Sequence, residues 1–355
     1  MIDAVSFCPT LESASDTILL AHGGGGRLMH QLLSDVILPI LDDPFLHQAD
    51  DAAIIPPVGG MIAVTTDSFV VQPLFFPGGD IGSLAIHGTV NDLAMCGARP
   101  LYFTVGLILE EGCPVATLSA VLHSLADAAR SLGIRVVAGD TKVVERGKGD
   151  QLYLNTTGVG VVEIDPPAAP RRIEPGDLIV INGDVGRHGI AVMSARAGLV
   201  FREPVESDSA PLWGAVRTLI DAGASIHAMR DITRGGLAAV VKELALSCGY
   251  ECALTEESIP ISGGVREASE ILGFDPLHLA CEGRFVVCVP ESDGNLVIEA
   301  LSTYTTQHGE LDPSCGPRII GRVTTGHSGG VTLATPYGGR RFLEAPAGEV
   351  LPRIC

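Results

Sequence analysis

The sequence predicts an α/β protein with mixed α+β sheets, arranged in two domains. Three observations carry this. At 355 residues the chain is long enough for more than one core. Apolar runs of strand character alternate with helically spaced apolar stripes along most of its length. A proline-rich break, Asp165-Pro-Pro-Ala-Ala-Pro-Arg-Arg172, divides that mixture into two halves of similar pattern.

Taken in order, residues 1–16 form an extension without a readable pattern. The first domain, 17–165, contains a helix starting just after Gly26, because Leu28, Leu32, Val36 and Ile40 recur every four residues. Met61 to Thr66, Tyr102 to Leu109 and Leu152 to Val162 read as strands, whereas Ile81 to Met95 and Val115 to Leu132 read as helices. The second domain, 173–342, repeats the mixture with a strand from Leu178 to Asn182, a helix from Leu237 to Leu246 and a strand from Phe285 to Val289. No short-period repeat is present. Residues 343–355 read as a flexible tail: Leu343-Glu-Ala-Pro-Ala-Gly348 has too little apolar content to pack, and its prolines and glycine resist regular structure.

A net charge of −19 argues against nucleic acid and against an anionic membrane surface, since both require clustered Lys and Arg. The start of the chain has no basic region followed by an apolar stretch, and no apolar run approaches the ~20 residues of a membrane span. Nine cysteines without a repeated C-x-x-C spacing suggest thiols in a reducing compartment, hence a cytoplasmic protein. Cys248 and Cys252 lie one helical turn apart, but no second close Cys/His pair accompanies them, which argues against zinc. Polyphosphates remain open to an acidic protein when divalent cations sit between its carboxylates and the ligand.

The first half places Asp50-Asp51, Asp67, Asp92 and Asp140 beside glycines or at the ends of apolar runs. Asp67 and Asp140 are expected to project from the C-terminal edges of strands, where ligands of α/β sheets gather, and converging carboxylates suit Mg²⁺. Each Asp could instead cap a helix or form a turn. Asp92 falls inside an apolar helical pattern, where a solvated cap is out of place. His22-Gly-Gly-Gly-Gly-Arg27 precedes a helix and could approach phosphate through Gly24, Gly25 and Arg27, or could be a plain linker; it lacks the spacing of a P-loop or a dinucleotide fingerprint. Asp231-Ile-Thr-Arg-Gly-Gly-Leu237 opens another helix, with Arg234 supplying positive charge and Asp231 and Thr233 suited to capping. Lys142 and Glu282 could serve proton transfer or form surface ion pairs. The chain ends in Cys355, a thiol on an arm. An incidental terminal residue is the simpler reading of composition alone, and a carrier thiol is the other.

Several runs, in order along the chain, resemble the HypE family of hydrogenase maturation proteins. They are His22 to His30, Asp50-Asp-Ala-Ala53, Thr65-Thr-Asp-Ser-Phe69, Pro73 to Asp80, Gly88-Thr-Val-Asn-Asp-Leu-Ala-Met95, Gly139 to Gly147, Asp231 to Leu237 and the terminal Pro352-Arg-Ile-Cys355. The resemblance runs from about Leu19 to Cys355, and the terminal Pro-Arg-Ile-Cys is its most specific part. The Asp motifs alone indicate the wider aminoimidazole ribonucleotide synthetase (PurM)-like superfamily of ATP-binding enzymes.

The resemblance implies a two-domain PurM-like fold whose N-terminal domains pair into a homodimer. It implies a carbamoyl dehydratase: a partner carbamoyltransferase (HypF-like) loads Cys355, ATP-dependent dehydration turns the thiocarboxamide into a thiocyanate, and a HypC-HypD-like scaffold accepts cyanide for the iron of a [NiFe]-hydrogenase. ATP and Mg²⁺ are the implied cofactors. Asp51, Asp67, Asp92 and Asp140 would hold Mg²⁺ and ATP phosphates, with Gly24, Gly25, Arg27 and Arg234 also at the nucleotide. Cys355 would be the carrier, Lys142 and Glu282 would handle protons or orient the substrate, and Arg353 would steer the tail or hold the thiolate.

The chain departs from the family at Cys281-Glu-Gly-Arg284, where Asn-Glu-Gly-Lys is usual, and arginine cannot act as a base. It also has Gly24 where serine is common. Two other readings compete. A small-molecule kinase of the superfamily would not need the terminal cysteine, and a non-catalytic assembly scaffold would tolerate substitution of Asp92.

Overall fold

A computed structural model describes residues 16–48, 50–201, 203–308, 313–348 and 351–355. All of the N-terminal extension except Asp16 lies outside them. The first half contains strands β1 (Ile62–Phe69), β2 (Phe75–Phe76), β3 (Gly79–Asp80), β4 (Ala98–Glu110), β5 (Arg135–Val144) and β6 (Leu152–Val162). The second contains β7 (Leu178–Ile181), β8 (Ala228–Asp231), β9 (Glu251–Thr255), β10 (Phe285–Val289), β11 (Arg318–Thr324), β12 (Val331–Ala334) and β13 (Arg340–Phe342). Helices are α1 (Arg27–Leu32), α2 (Leu38–Leu41), α3 (Ile81–Met95), α4 (Val115–Ser131), α5 (Arg187–Ala197), α6 (Trp213–Asp221), α7 (Gly236–Cys248), α8 (Gly263–Leu272) and α9 (Gly294–Gln307).

Between α1 and α2 the turn Leu33–Ile37 is π-helical. A strict four-residue apolar repeat drifts across an α-helix of 3.6 residues per turn. The wider π turn absorbs that drift, so Leu28, Leu32, Val36 and Ile40 keep facing inward as a half-buried to buried line.

The first sheet has the order β1-β6-β4-β5. β4 and β5 are parallel, joined across α4 in the way parallel strands require, and the other pairs are antiparallel. α3 and α4 cover one face through Leu84, Val90, Leu118 and Leu122, all fully buried. The opposite face carries exposed apolar side chains: Ile62 is 48%, Val64 65% and Ile108 41% exposed. Antiparallel sheets often leave one face open, but to polar side chains.

The second sheet has the order β13-β12-β9-β11-β7-β10-β8. It is covered on both sides, by α7 against Val286 and Cys288, and by α6 and α9 against Phe285, Val287 and Val289. That double cover is why Phe285 to Val289 is an unbroken apolar run and is wholly buried.

The halves are stitched through α3. Asn91 donates its amide to the carbonyls of Glu282 (3.1 Å) and Ala210 (3.2 Å), while its oxygen accepts from the Leu212 N–H (2.7 Å). No helix among the described residues is long and apolar enough to cross a membrane.

The tail differs from its expectation. Leu343 packs into the second core at 1% exposure, and Leu351 and Ile354 are buried in the first. Few apolar residues suffice here because each packs into a core built by the rest of the fold.

Candidate active site

The expected site residues fall into two groups on opposite sides of the first sheet. Asp67 lies within β1 opposite Thr156 of β6, and Asp140 lies within β5 opposite Gly106 of β4. Neither projects from a strand end, because both strands continue beyond the aspartate. β1 and β5 are the two edges of that sheet, three interstrand steps or about 14 Å apart. The four aspartates therefore do not converge within one chain: Asp67 sits with Asp92, and Asp140 with Asp51.

The β5 group borders a cavity of about 670 Å³ lined by Arg27, Asp50, Asp51 and Asp140, with Val105 and Leu107 among its apolar walls. Lys142 holds both carboxylate oxygens of Asp140 at 2.6 Å, and that bond holds Asp140 below the usual carboxylate range. Both side chains are exposed. Beside them, Gly24 ends the short helix Leu20–Gly23, and Gly25 adopts φ +69°, a left-handed conformation that favours glycine.

The second group is an acidic cleft. Thr65 donates its hydroxyl to Asp92 (2.7 Å) from β1 to α3. Asp231 ends β8 opposite Phe285, Glu282 lies in the turn entering β10, and Arg234 is exposed at the entry to α7. The helix α7 is capped by the backbone of Gly235, with no side-chain cap. Asp231 is thus not the capping residue its motif suggested, and it is the main site residue that sequence reasoning missed.

Burial raises the pKa of Asp67 and Asp92, and the Asp92 charge adds to the effect at Asp67. The same forces push Asp231 up to about 7, burial first and the Asp92 carboxylate second. Burial pushes Glu282 well above the carboxylate range, reinforced by Asp231, Asp208 and Asp67, with Arg234 opposing. Glu282 is 3% exposed, and its Oε1 has no hydrogen-bond partner. Crowded carboxylates in a low dielectric must bind protons or cations. Among the described residues, however, no three acidic, Cys or His side chains close on one metal position.

Arg284 does not face this cleft. It is 3% exposed and donates to the Asp184 carboxylate (3.0 Å) and carbonyl (3.1 Å), while lying 3.9 Å from Asp208. It is a buried tie. Cys281, fully buried, accepts the N–H of Gly186 at 3.2 Å. Asp208 in turn accepts the N–H groups of His188 (3.0 Å), Glu282 and Gly283 (both 3.3 Å), fixing the backbone on which Glu282 rides.

The C-terminus lies beside this cleft, at a cavity that Arg234 also lines. Ile354 and Leu351 line a cavity of about 530 Å³ together with Arg234 and Gly235. The Val70 N–H donates to an oxygen of the Cys355 carboxylate (2.9 Å), so the terminal residue lies against the chain three residues beyond Asp67. Arg353, at φ +55°, donates to the Val70 carbonyl (3.2 Å) and pairs with Asp150 (2.5 Å). Its guanidinium thus ties the tail to Val70 and Asp150. His188 and Arg196 also hold the tail. No sequence signal marks either of them, nor Asp208, as part of the site, and Asn91 falls in the Gly88 to Met95 run without being singled out there.

Model descriptions of the AIR synthase related protein family match this chain: the N-terminal domain over residues 49–162 and the C-terminal domain over 174–333. The carbamoyl dehydratase HypE of Azotobacter vinelandii is 43% identical over 345 residues, covering 97% of this chain and 99% of that protein. A crystal structure of hydrogenase maturation protein HypE in complex with ATP superposes with a TM-score of 0.90 at 43% identity, over 96% of this chain and 100% of that one. A chain in a HypE-HypF complex gives 0.76 at 41% identity, over 90% and 100%.

Proposed function

The chain belongs to the HypE family of carbamoyl dehydratases of hydrogenase maturation, and on that premise we propose that Cys355 carries the group that is dehydrated. The observation behind this assignment is the seating of Cys355: its terminal carboxylate takes the Val70 N–H three residues beyond Asp67, and its neighbour Ile354 shares a cavity with Arg234, whose charge acts on Asp67. An S-carbamoyl group there loses its oxygen in balance with ATP. The carbamoyl oxygen takes the γ-phosphoryl group, two N–H protons leave, phosphate departs with the oxygen, and S–C≡N remains with ADP. Arg234 offsets phosphate charge. Glu282 takes a proton, its buried and crowded carboxylate being a strong base once ionised.

Asp51, Asp67, Asp92 and Asp140 are proposed for Mg²⁺, a hard cation that keeps water and phosphate oxygens and so does not need a closed protein cage. When bound it neutralises the charge on the transferring phosphoryl group. Gly24, Gly25 and Arg27 border the nucleotide, which the cavity beside Asp140 and Asp51 can receive.

Asp67 and Asp140 lie on opposite sheet edges, and the sheet face bearing Ile62, Val64 and Ile108 is exposed. Both facts support a homodimer paired through that face, in which Asp140 and Lys142 of one copy approach Asp67 and Glu282 of the other. The domain division at 17–165 and 173–342, with 343–355 as a tail that leaves its seat, belongs to the same reading. So do a HypF-like carbamoyltransferase as donor, supported by the solved HypE-HypF complex, and a HypC-HypD-like scaffold as acceptor. A cytoplasmic location is supported by the buried thiols Cys113, Cys252, Cys281 and Cys288.

Mass measurement of the C-terminal peptide tests the assignment. Incubation with the carbamoyltransferase, carbamoyl phosphate and ATP should add a carbamoyl group at Cys355, and further ATP should remove one water. An adduct elsewhere, or none, rejects it.

A further inference from the structure

Residues 207–212 form an irregular segment between the two halves, and partners on both sides meet its polar groups. From the first half, the Pro77 carbonyl accepts the Ser207 N–H (2.8 Å), and His87 Nδ1 lies 3.1 Å from the Ser209 hydroxyl. Asn91 donates to the Ala210 carbonyl and accepts the Leu212 N–H. Toward the second half, the Asp208 carboxylate is fully buried and accepts three N–H groups. Oδ1 takes that of His188 (3.0 Å), and Oδ2 takes those of Glu282 and Gly283 (3.3 Å each). The Ala210 N–H donates to the Glu282 carbonyl at 3.3 Å, which Asn91 Nδ2 also reaches at 3.1 Å. The main chain of Glu282 is therefore held at both its N–H and its carbonyl, while its side-chain Oε1 has no partner.

We infer that the segment Ser207 to Leu212 positions Glu282 against the aspartates of the first half, with Asp208 as its acting residue. Asp67 and Asp92 belong to β1 and α3, whereas Glu282 belongs to the turn entering β10, so the cleft is assembled from two domains. Asn91 is the neighbour of Asp92 on α3, and its bond to the Glu282 carbonyl ties the base to that helix. Displacing a reacting group by 1 Å costs on the order of 10²-fold in rate, so this tie matters to the chemistry. Asp208 adds what a neutral residue could not. Both of its oxygens accept N–H groups, as a carboxylate does, and a negative charge beside Glu282 makes that side chain the stronger base. Asp208 and Asn91, both buried, are positioning residues. The inference rests on Glu282 as the base of the dehydration; the hold on its main chain is tested without any reaction.

The experiment follows water loss from the carbamoylated C-terminal peptide of the full chain, at saturating ATP and across pH. Asp208→Asn keeps the size but presents an NH2 where a carboxylate oxygen accepted, so at least one N–H loses its partner. ATP affinity and loading by the carbamoyltransferase should be unchanged, and dehydration should slow roughly 10²-fold. The ascending limb of the pH profile should also move to lower pH. Ionised Glu282 is the active form; burial holds its pKa high, Asp231, Asp208 and Asp67 add to that against Arg234, and only the Asp208 charge is removed. Unchanged dehydration in folded Asp208→Asn, or a slower rate with the limb unmoved, overturns the inference. If that variant fails to fold, Asn91→Ala takes its place: slower dehydration with the limb in place is expected, and an unchanged rate counts against the inference. In the chain alone, hydrogen exchange of the Glu282 and Gly283 amides should rise roughly tenfold in Asp208→Asn, and unchanged exchange also overturns it. Failure of the wild-type chain to load Cys355, with the exchange result intact, would instead reject the carrier assignment and leave the positioning of Glu282 standing.

Discussion

His188 Nε2 donates a hydrogen bond to the carbonyl oxygen of Ile354 at 2.7 Å, one residue before the terminal cysteine. A carbonyl only accepts, so the proton is on Nε2. Nδ1 must then accept from the Ser207 hydroxyl at 2.8 Å, while Ser207 oxygen accepts the Ser209 N–H. The seated tail thus requires only the neutral imidazole.

Burial lowers the pKa of His188 below the ordinary 6.5, with the Ile354 carbonyl and Asp208 acting in the opposite sense. Departure of the tail uncovers Nε2 and returns the imidazole toward its ordinary value. The released state then binds the extra proton. The seat is at full strength above about pH 6.5 and weakens as pH falls through that value toward the lowered one. Trypsin cleavage after Arg353, measured relative to a free tail peptide at each pH, should accelerate between pH 7.5 and 6. His188→Gln should remove that slope; a slope that persists would place the titration elsewhere.

Asp231 carries the opposite sign. Its pKa is raised from 3.8 to about 7, so its contribution is favourable below the lower value and is lost as pH rises through the upper one. Asp231→Asn should stabilise the metal-free protein at pH 8 by up to about 4 kcal/mol, with little effect at pH 4. Thermal melts across pH in the presence of a chelator check this. An equal shift at both pH values would show that ionisation of Asp231 is not the source.

Arg284→Lys restores the residue usual in the family but loses the fork that reaches both the carboxylate and the carbonyl of Asp184. A compact ammonium cannot satisfy both from the same stem. The expected cost is about 2–3 kcal/mol of stability, with dehydration per folded molecule unchanged because Arg284 faces away from the cleft. Urea unfolding and turnover normalised to folded protein separate the two effects.

Gly283 has no room for a side chain: a Cβ there would lie 1.9 Å from the Asp208 carbonyl oxygen. Gly283→Ala must displace either the Asp208 segment or the backbone carrying Glu282. A loss on the order of 3 kcal/mol is expected, and any folded fraction should lose dehydration while still binding ATP. ATP affinity by calorimetry beside turnover would show this; retained turnover would mean that the turn adjusts without moving Glu282.

Most of the fold was legible because its elements obey simple periodicities. Ile81 to Met95, Leu152 to Val162 and Phe285 to Val289 occupy the spans read from their apolar patterns. The site was legible as residue types and motifs, but not as an arrangement. Asp67 and Asp140 looked equivalent in sequence, since each follows an apolar run beside small residues. Their separation depends on strand order, a long-range property with no local signature. Asp231 was read as a cap because a cap and a buried carboxylate use the same residue in the same place. The seat of the tail was invisible for a different reason: His188 and Arg196 bond to main-chain oxygens, which every residue has.

The π turn Leu33–Ile37 holds one residue more than an α turn would. Removing a single residue from it would restore a continuous α-helix in nearly the same phase, because the wider turn rotates the chain about as far as an α turn that is one residue shorter, so Arg27 and His30 would keep their direction relative to Leu38 and Leu41. Both of those side chains line the cavity beside Asp140. The mouth of that cavity therefore keeps its lining with or without the inserted residue, whereas rewinding the π turn as α-helix without removing a residue would turn the arginine away.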